Sequence, residues 1–255
     1  MQPVKVRNVE IGSGMPKICV PIVGITRTDI LSSAKEIRSA GADVVEWRAD
    51  WYEDVFQFSL VTDTAKELRR ILGEIPLLFT FRTAKEGGEK EITTDIYVAL
   101  NRHAAQSGYI DLVDVEAFTG DKAVKEVIEA AHSCGVKVIV SNHDFHKTPE
   151  KDEIVSRLRK MQELGADIPK IAVMPQSRHD VLTLLEATEE MVYKYADCPV
   201  ITMSMAAMGT VSRICGEVFG SSLTFGTVGK ASAPGQMEIG ELRTILEILH
   251  NSSAK

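Results

Sequence analysis

Two rhythms of apolar and polar positions alternate along this chain. Short apolar runs of strand length recur about every 30 residues, the repeat of a βα unit. KICVPIVG (17–24), DVVEWR (43–48), LLFTFR (77–82), DLVDVEAF (111–118), VKVIVSNHDF (136–145), PKIAVMP (169–175), PVITMSM (199–205) and SLTFG (222–226) predict strands. Between them apolar residues fall three and four apart, the helical period. In TPEKDEIVSRLRKMQELG, Thr148 suits an N-cap and Pro149 the first helical position. Ile154, Val155, Leu158 and Met161 make one apolar stripe, and Gly165 stops the helix. TRTDILSSAKEIRSAG, GDKAVKEVIEAAHSCG and SRHDVLTLLEATEEMVYKY read in the same way, and MEIGELRTILEILH follows the last strand.

Strands and helices in this alternation predict a (β/α)8 barrel as a single domain over residues 1–255. No GxGxxG turn follows the first strand, which counts against a doubly wound dinucleotide fold. Ahead of the barrel, residues 1–16 alternate Val4, Val6 and Val9 before Gly12-Ser13-Gly14, and predict a small hairpin across the barrel bottom.

Side chains along a strand alternate between faces, and barrel interiors are usually filled by Val, Ile and Leu. Here the inward face is polar. Val45 and Trp47 leave Glu46 and Arg48 inward; Phe79 and Phe81 leave Thr80 and Arg82; Val113 and Val115 leave Asp114 and Glu116. The sixth strand puts Lys170, Ala172 and Met174 on one face, the seventh Met203 and Met205, and the fifth runs out into Asn142, His143 and Asp144. Pairs such as Glu46 with Arg82 and Asp114 with Arg48 could make a buried ion network that serves only the fold. Buried pairs stabilise poorly, because desolvation cancels the Coulomb gain, so an interior this polar points to a polar ligand.

Composition sets bounds. Hydrophobic residues at 44% and charged residues at 25% describe an ordinary globular chain. A formal charge of -7 argues against a nucleic-acid surface or a polybasic membrane anchor. Met1–Pro16 has no apolar core of signal-peptide length, and no stretch approaches the ~20 apolar residues of a membrane span. Cys19, Cys134, Cys198 and Cys215 lie far apart without a CxxC pair, as expected of reduced, mostly buried thiols in a cytoplasmic protein.

The chemistry turns on Lys170, set in the apolar run IPKIAVMP. It either extends its amine to solvent from the strand's mouth, or is buried so that a neutral amine can attack a carbonyl. Three reactions fit the neighbouring residues unequally. Metal hydrolysis could draw on His143, Asp144, His146 and Glu116, but the first strand contains no candidate ligand. Nucleophilic hydrolysis has no GxSxG elbow and no cysteine in a nucleophile context. Schiff-base chemistry uses the set. A lysine desolvated beside Arg48, Arg82 or Arg213 would attack a ketone, and the iminium would acidify the adjacent C–H for His143. The arginines suit a carboxylate and hydroxyls.

EWRAD, FTFRTAKEGGE, SNHDFHKTP, LGADIPKIAVMP, ITMSM, the Ser212-Arg213 pair and KASAPGQ, in this order along nearly the whole chain, closely resemble the type I 3-dehydroquinate dehydratases of the shikimate pathway. The resemblance implies a cytoplasmic (β/α)8 barrel, typically a homodimer, that needs no cofactor or metal and acts on 3-dehydroquinate. It implies that Lys170 forms the imine with the C3 ketone. His143 would take the C2 proton and assist loss of the C1 hydroxyl, with Glu86 orienting it. Arg213 would pair with the carboxylate, and Glu46, Arg48 and Arg82 would hold ring hydroxyls and carboxylate. Ser232 and Gln236 would come from a closing loop (KASAPGQ, 230–236), and Met203, Met205 and Phe225 would form apolar walls. Some members carry a small polar residue in the first strand; this chain has Pro21 there, and no contact is assigned to it. The rival is another Schiff-base barrel, a class I aldolase, which would cleave or form a carbon–carbon bond. A barrel that binds without turnover would be expected to lack Lys170 or His143, and both are present.

Overall fold

The computed structural model describes residues 1–229 and 235–253. Strands β1 (Val4–Val6) and β2 (Val9–Ile11) form an antiparallel hairpin, with Val4 opposite Ile11 and Val6 opposite Val9. The rest of the fold is built on a nine-stranded sheet. In it β3 (Lys17–Ile22), β4 (Val44–Arg48), β5 (Leu77–Thr80), β6 (Leu112–Glu116), β7 (Lys137–Asp144), β8 (Ile168–Val173) and β9 (Ile201–Ser204) pair in chain order, all parallel. β10 (Leu223–Thr227) returns to pair with β3. At the bottom, a bridge between Val200 and Ser221 closes the seam between β9 and β10 into a barrel, with Ser222 N–H donating to Val200 O at 2.9 Å. Higher up, the two-residue β11 (Met237–Glu238) pairs with β10.

Helices cover the outside: α1 (Arg27–Ala40), α2 (Phe58–Leu72), α3 (Thr94–Gln106), α4 (Asp121–Ser133), α5 (Lys151–Glu163), α6 (Arg178–Lys194), the short α7 (Thr210–Ile214) and α8 (Gly216–Phe219), and α9 (Ile239–Ser253). Local chemistry sets their ends. Thr26 caps α1 by accepting from Asp29 N–H while Asp29 accepts from Thr26 N–H, a reciprocal pair worth roughly 1 kcal/mol, and Gly41 ends the helix at φ 78°. The stripe Ile154, Val155, Leu158 and Met161 is buried as expected in α5. That helix starts later than its sequence suggested. Thr148 spends its hydroxyl on Met174 O, and Glu150 takes the cap position.

Strand alternation sorts the core into two layers. Outward residues such as Trp47, Phe79, Phe81, Val113, Val115, Val140 and Ile171 pack under the helices. Inward residues at the lower level, Val44, Leu78, Leu112, Ile139, Ile168 and Ile201, form an apolar floor with Val6 and Ile11 of the hairpin. Arg7 pins the hairpin from outside, its Nε donating to Asp111 Oδ1 at 2.6 Å, while Asp111 Oδ2 accepts from Arg69 and from Leu77 N–H. The cysteines differ from expectation: only Cys19 is buried, Cys134 is exposed, and Cys198 and Cys215 are half-buried, all with free thiols. Among the described residues no helix is long and apolar enough to cross a membrane.

Candidate active site

Above the apolar floor the barrel interior turns polar, and a pocket of about 520 Å³, counting space open at its mouth, sits at the C-terminal ends of the strands. Eleven of the residues singled out in the sequence line it: Glu46 and Arg48 from β4, Arg82 and Glu86 from the segment after β5, His143, Lys170, Met203 and Met205 from or just after β7 to β9, Arg213 from α7, Phe225 from β10, and Gln236. Ser232 falls in residues 230–234, outside the described residues, as does most of KASAPGQ. Pro21 lies on β3 in register with Glu46. Gly87, Phe145 and Ala172 also line the pocket.

Lys170 is 2% exposed, so the solvent-facing alternative is removed. Its Nζ lies 3.1 Å from Asp114 Oδ2 and 4.6 Å from the ring centre of Phe225. The surroundings are therefore not purely cationic, as the sequence had suggested; a carboxylate meets the amine directly. The expected ion pairs also change partners. Arg82, not Arg48, takes Asp114, with Nη2 donating to Oδ1 at 2.7 Å, and its Nη1 donates to Glu116 and Ser141, both at 3.0 Å. Arg48 grips Asp50 with two parallel bonds of 2.8 Å, and Glu46 accepts from Thr80 Oγ1 at 2.8 Å. Burial opposes the charge on both arginines, but the carboxylates behind them overcome it and raise both above the ordinary value. Asp50, Asp114 and Glu116 are themselves buried and stand behind the arginines, away from the pocket lining. Arg213 touches the sulfur of Met203 at 3.9 Å, and burial draws its guanidinium down to about 10.

His143 is held by Glu86. Oε2 accepts from His143 N–H at 2.9 Å and lies 3.0 Å from Nδ1, while Asn142 Nδ2 donates to Oε1 at 3.3 Å. When Glu86 is ionised, Oε2 can only accept, which places the ring proton on Nδ1 and leaves the lone pair on Nε2. Burial, then the cations Arg82, Lys170 and Arg48, hold the imidazole well below its ordinary value, so it is neutral. Burial raises the Glu86 carboxyl to about 7, with Arg82 pulling the other way.

The loop after β5 delivers Glu86 and is fixed from below. Asp50 accepts from Arg82 N–H at 3.3 Å and Glu89 N–H at 3.1 Å, and Glu116 accepts from Thr83 N–H at 2.8 Å and Thr83 Oγ1 at 2.7 Å. Gly88 lets the loop fold back: a Cβ there would lie 1.9 Å from Arg82 O, a backbone atom that no rotamer change can move. Gly88→Ala is therefore expected to cost about 1–3 kcal/mol by overpacking. Thermal unfolding checks it, with a fall of roughly 2–4 °C per kcal/mol for a chain of this size.

His146 is exposed, and Asp144 Oδ1 caps the turn beyond β7 by accepting from His146 N–H and Lys147 N–H. Among the described residues no group of three His, Cys, Asp or Glu is gathered that could hold a metal ion. Sequence reasoning passed over Asp50 and Ser141. Asp50 stands in EWRAD two residues after Arg48, a spacing that a 3-10 turn over Ala49–Trp51 makes into a bidentate clamp.

Fold and site define a (β/α)8-barrel enzyme with a buried lysine and a neutral histidine on adjacent strands, ringed by anchored arginines. The chain belongs to the type I 3-dehydroquinase family, which matches residues 18–253. A 3-dehydroquinate dehydratase of Salmonella agona is 57% identical over 252 residues, covering 99% of this chain and 100% of the relative. The crystal structure of the type I 3-dehydroquinate dehydratase from Clostridium difficile with covalently modified comenic acid superposes with a TM-score of 0.97 at 56% identity, over 99% of this chain and 100% of that one. The enzyme from Geobacillus kaustophilus gives 0.96 at 41% identity, over 99% and 98%.

Proposed function

We propose that this protein eliminates water from 3-dehydroquinate to give 3-dehydroshikimate, in the shikimate pathway, through an imine on Lys170. The observation that carries the reading is the pairing of a buried, pocket-lining amine with a histidine one strand away whose Nε2 is kept as a free base. Lys170 Nζ attacks the C3 ketone, and the resulting iminium accepts electrons from the C2–H bond. His143 takes that proton and returns it to the departing C1 hydroxyl, which leaves as water from the same face. Hydrolysis of the C=N bond by water then releases the product and restores the Lys170 amine. Glu86 fixes the imidazole tautomer. Arg213 pairs with the substrate carboxylate, and Glu46, Arg48 and Arg82 take ring hydroxyls and carboxylate. Met203, Met205 and Phe225 wall the ring, and Ser232 and Gln236 join from the segment after β10. The Clostridium difficile relative was solved with a covalently modified small molecule, which fits covalent chemistry in this pocket. The setting is the cytoplasm and the assembly a homodimer, with the chemistry carried by side chains alone.

Mixing the protein with 3-dehydroquinate tests the reading. The product is a conjugated enone, so ultraviolet absorption should rise without carbon–carbon cleavage; two fragments would instead show an aldolase. Activity is expected to survive EDTA and dialysis, and its loss on chelation, restored by added zinc, would return the metal reading.

A further inference from the structure

Asp114 is bound asymmetrically. Its Oδ1 is committed to the frame, accepting from Arg82 Nη2 at 2.7 Å and from Ser141 Oγ at 2.6 Å. Its Oδ2 faces Lys170 Nζ at 3.1 Å. The carboxylate is fully buried and is not part of the pocket lining, while the Phe225 ring, which is, lies 4.6 Å from Nζ. A carboxylate and an aromatic face both favour positive charge at that nitrogen.

Imine formation conserves that charge. The amine loses two protons to the carbonyl oxygen, which departs as water, a C=N bond replaces C=O, and one proton stays on nitrogen. Counted from the ammonium, ketone plus R–NH3⁺ gives the iminium and water with no net proton exchanged. The iminium keeps a single N–H, which needs an acceptor because the nitrogen is buried, Lys170 being 2% exposed. A neutral imine is a far weaker electron sink, so the reaction depends on that proton staying in place.

We propose that Asp114 Oδ2 accepts this last N–H and is the counter-ion that keeps the Lys170 imine protonated through the dehydration. The proposal rests on the imine reading above and assigns a catalytic role to a residue that the pocket lining does not include. The other charged or titratable groups sharing the pocket with Lys170 are Glu46 and Arg48 from β4, Arg82 and Glu86 from the segment after β5, His143 from β7 and Arg213 from α7. Cys19 of β3 is close enough to interact with Lys170, and Glu86 is bound to His143. Arg82, Arg48 and Arg213 oppose a proton on the nitrogen, His143 is neutral, and Glu46 is bound to Thr80. Among the described residues Asp114 is the carboxylate in hydrogen-bond reach. Burial opposes its ionisation, but Arg82, Lys170 and the hydrogen bonds from Ser141 and Lys170 together hold it below the ordinary carboxylate value.

Two measurements test the assignment. In Asp114→Asn, the alkaline limb of kcat is expected to move down by about one to three pH units, the effect of removing an adjacent opposite charge. Activity then recovers toward acid pH. A purely structural role would lower kcat by the same factor at every pH, and that uniform loss, or an unshifted limb, overturns the proposal. Should the variant not fold, the wild-type protein with nitrogen-15 in its lysine side chains is equilibrated with 3-dehydroshikimate and the imine resonance followed by NMR. A protonated imine up to about pH 9 is expected, well beyond the range of an imine without a counter-ion; a neutral imine near pH 8 overturns the proposal. Borohydride labelling of wild-type Lys170 by 3-dehydroquinate separates the two levels. Labelling with either negative result removes Asp114 alone, whereas absence of labelling removes the imine itself and Asp114 with it.

Discussion

Lys170→Met should bring dehydration of 3-dehydroquinate to background, a loss on the order of 10⁴-fold or more, because removing a covalent nucleophile leaves only binding and electrostatic effects. Methionine keeps the apolar stem against Phe225 and the pocket's shape. Borohydride with substrate should then leave the intact mass unchanged, where wild type gains one reduced substrate. The variant should also lose stability. It leaves Asp114, fully buried, facing an apolar group, and breaking a buried pair costs about 3–5 kcal/mol when the remaining charge stays uncompensated. Arg82 and Ser141 still hold Oδ1, so the observed fall in Tm is expected near the low end of that range. Turnover within tenfold of wild type, or mass gain in the variant, would show that the ketone is attacked by another group.

The elements that the apolar rhythm marks strongly were legible, and so was the face on which each polar residue sits. Strand alternation alone assigns Glu46, Arg82, Asp114 and Lys170 to the interior, and all four are there. Their partners were not legible. Strands in a closed barrel are tilted and staggered, so residues in backbone register are not those whose side-chain tips meet. Glu116, Ser141 and Lys170 share a register across β6 to β8, yet Lys170 pairs with Asp114, one inward position lower on β6. Arg82 lies beyond the last paired residue of β5, where no register constrains it, and gathers three carboxylates. Short elements also escape periodicity. Neither the two residues of β11 nor the four of α8 complete a repeat that a pattern could show.

His143→Ala should separate two steps that Lys170→Met removes together. Taking away a general acid–base lowers turnover by roughly 10²–10⁴-fold, and the upper end is expected here because the same group handles the C2 proton and the C1 hydroxyl. The imine should still form, since Nζ and the cationic frame of Arg48 and Arg82 are held by Asp50, Asp114 and Glu116 and not by the imidazole. Intact mass after borohydride should therefore show the substrate adduct, now accumulated ahead of elimination, while the enone rises slowly. Glu86 tests the same logic by degree. It keeps the proton on Nδ1 and the lone pair on Nε2, so Glu86→Ala frees the ring to rotate and change tautomer, and kcat should fall while KM moves little. A His143 variant with normal kcat would transfer the proton to another pocket group. A variant with no trapped adduct would make the histidine essential already at carbinolamine breakdown, where the first water leaves.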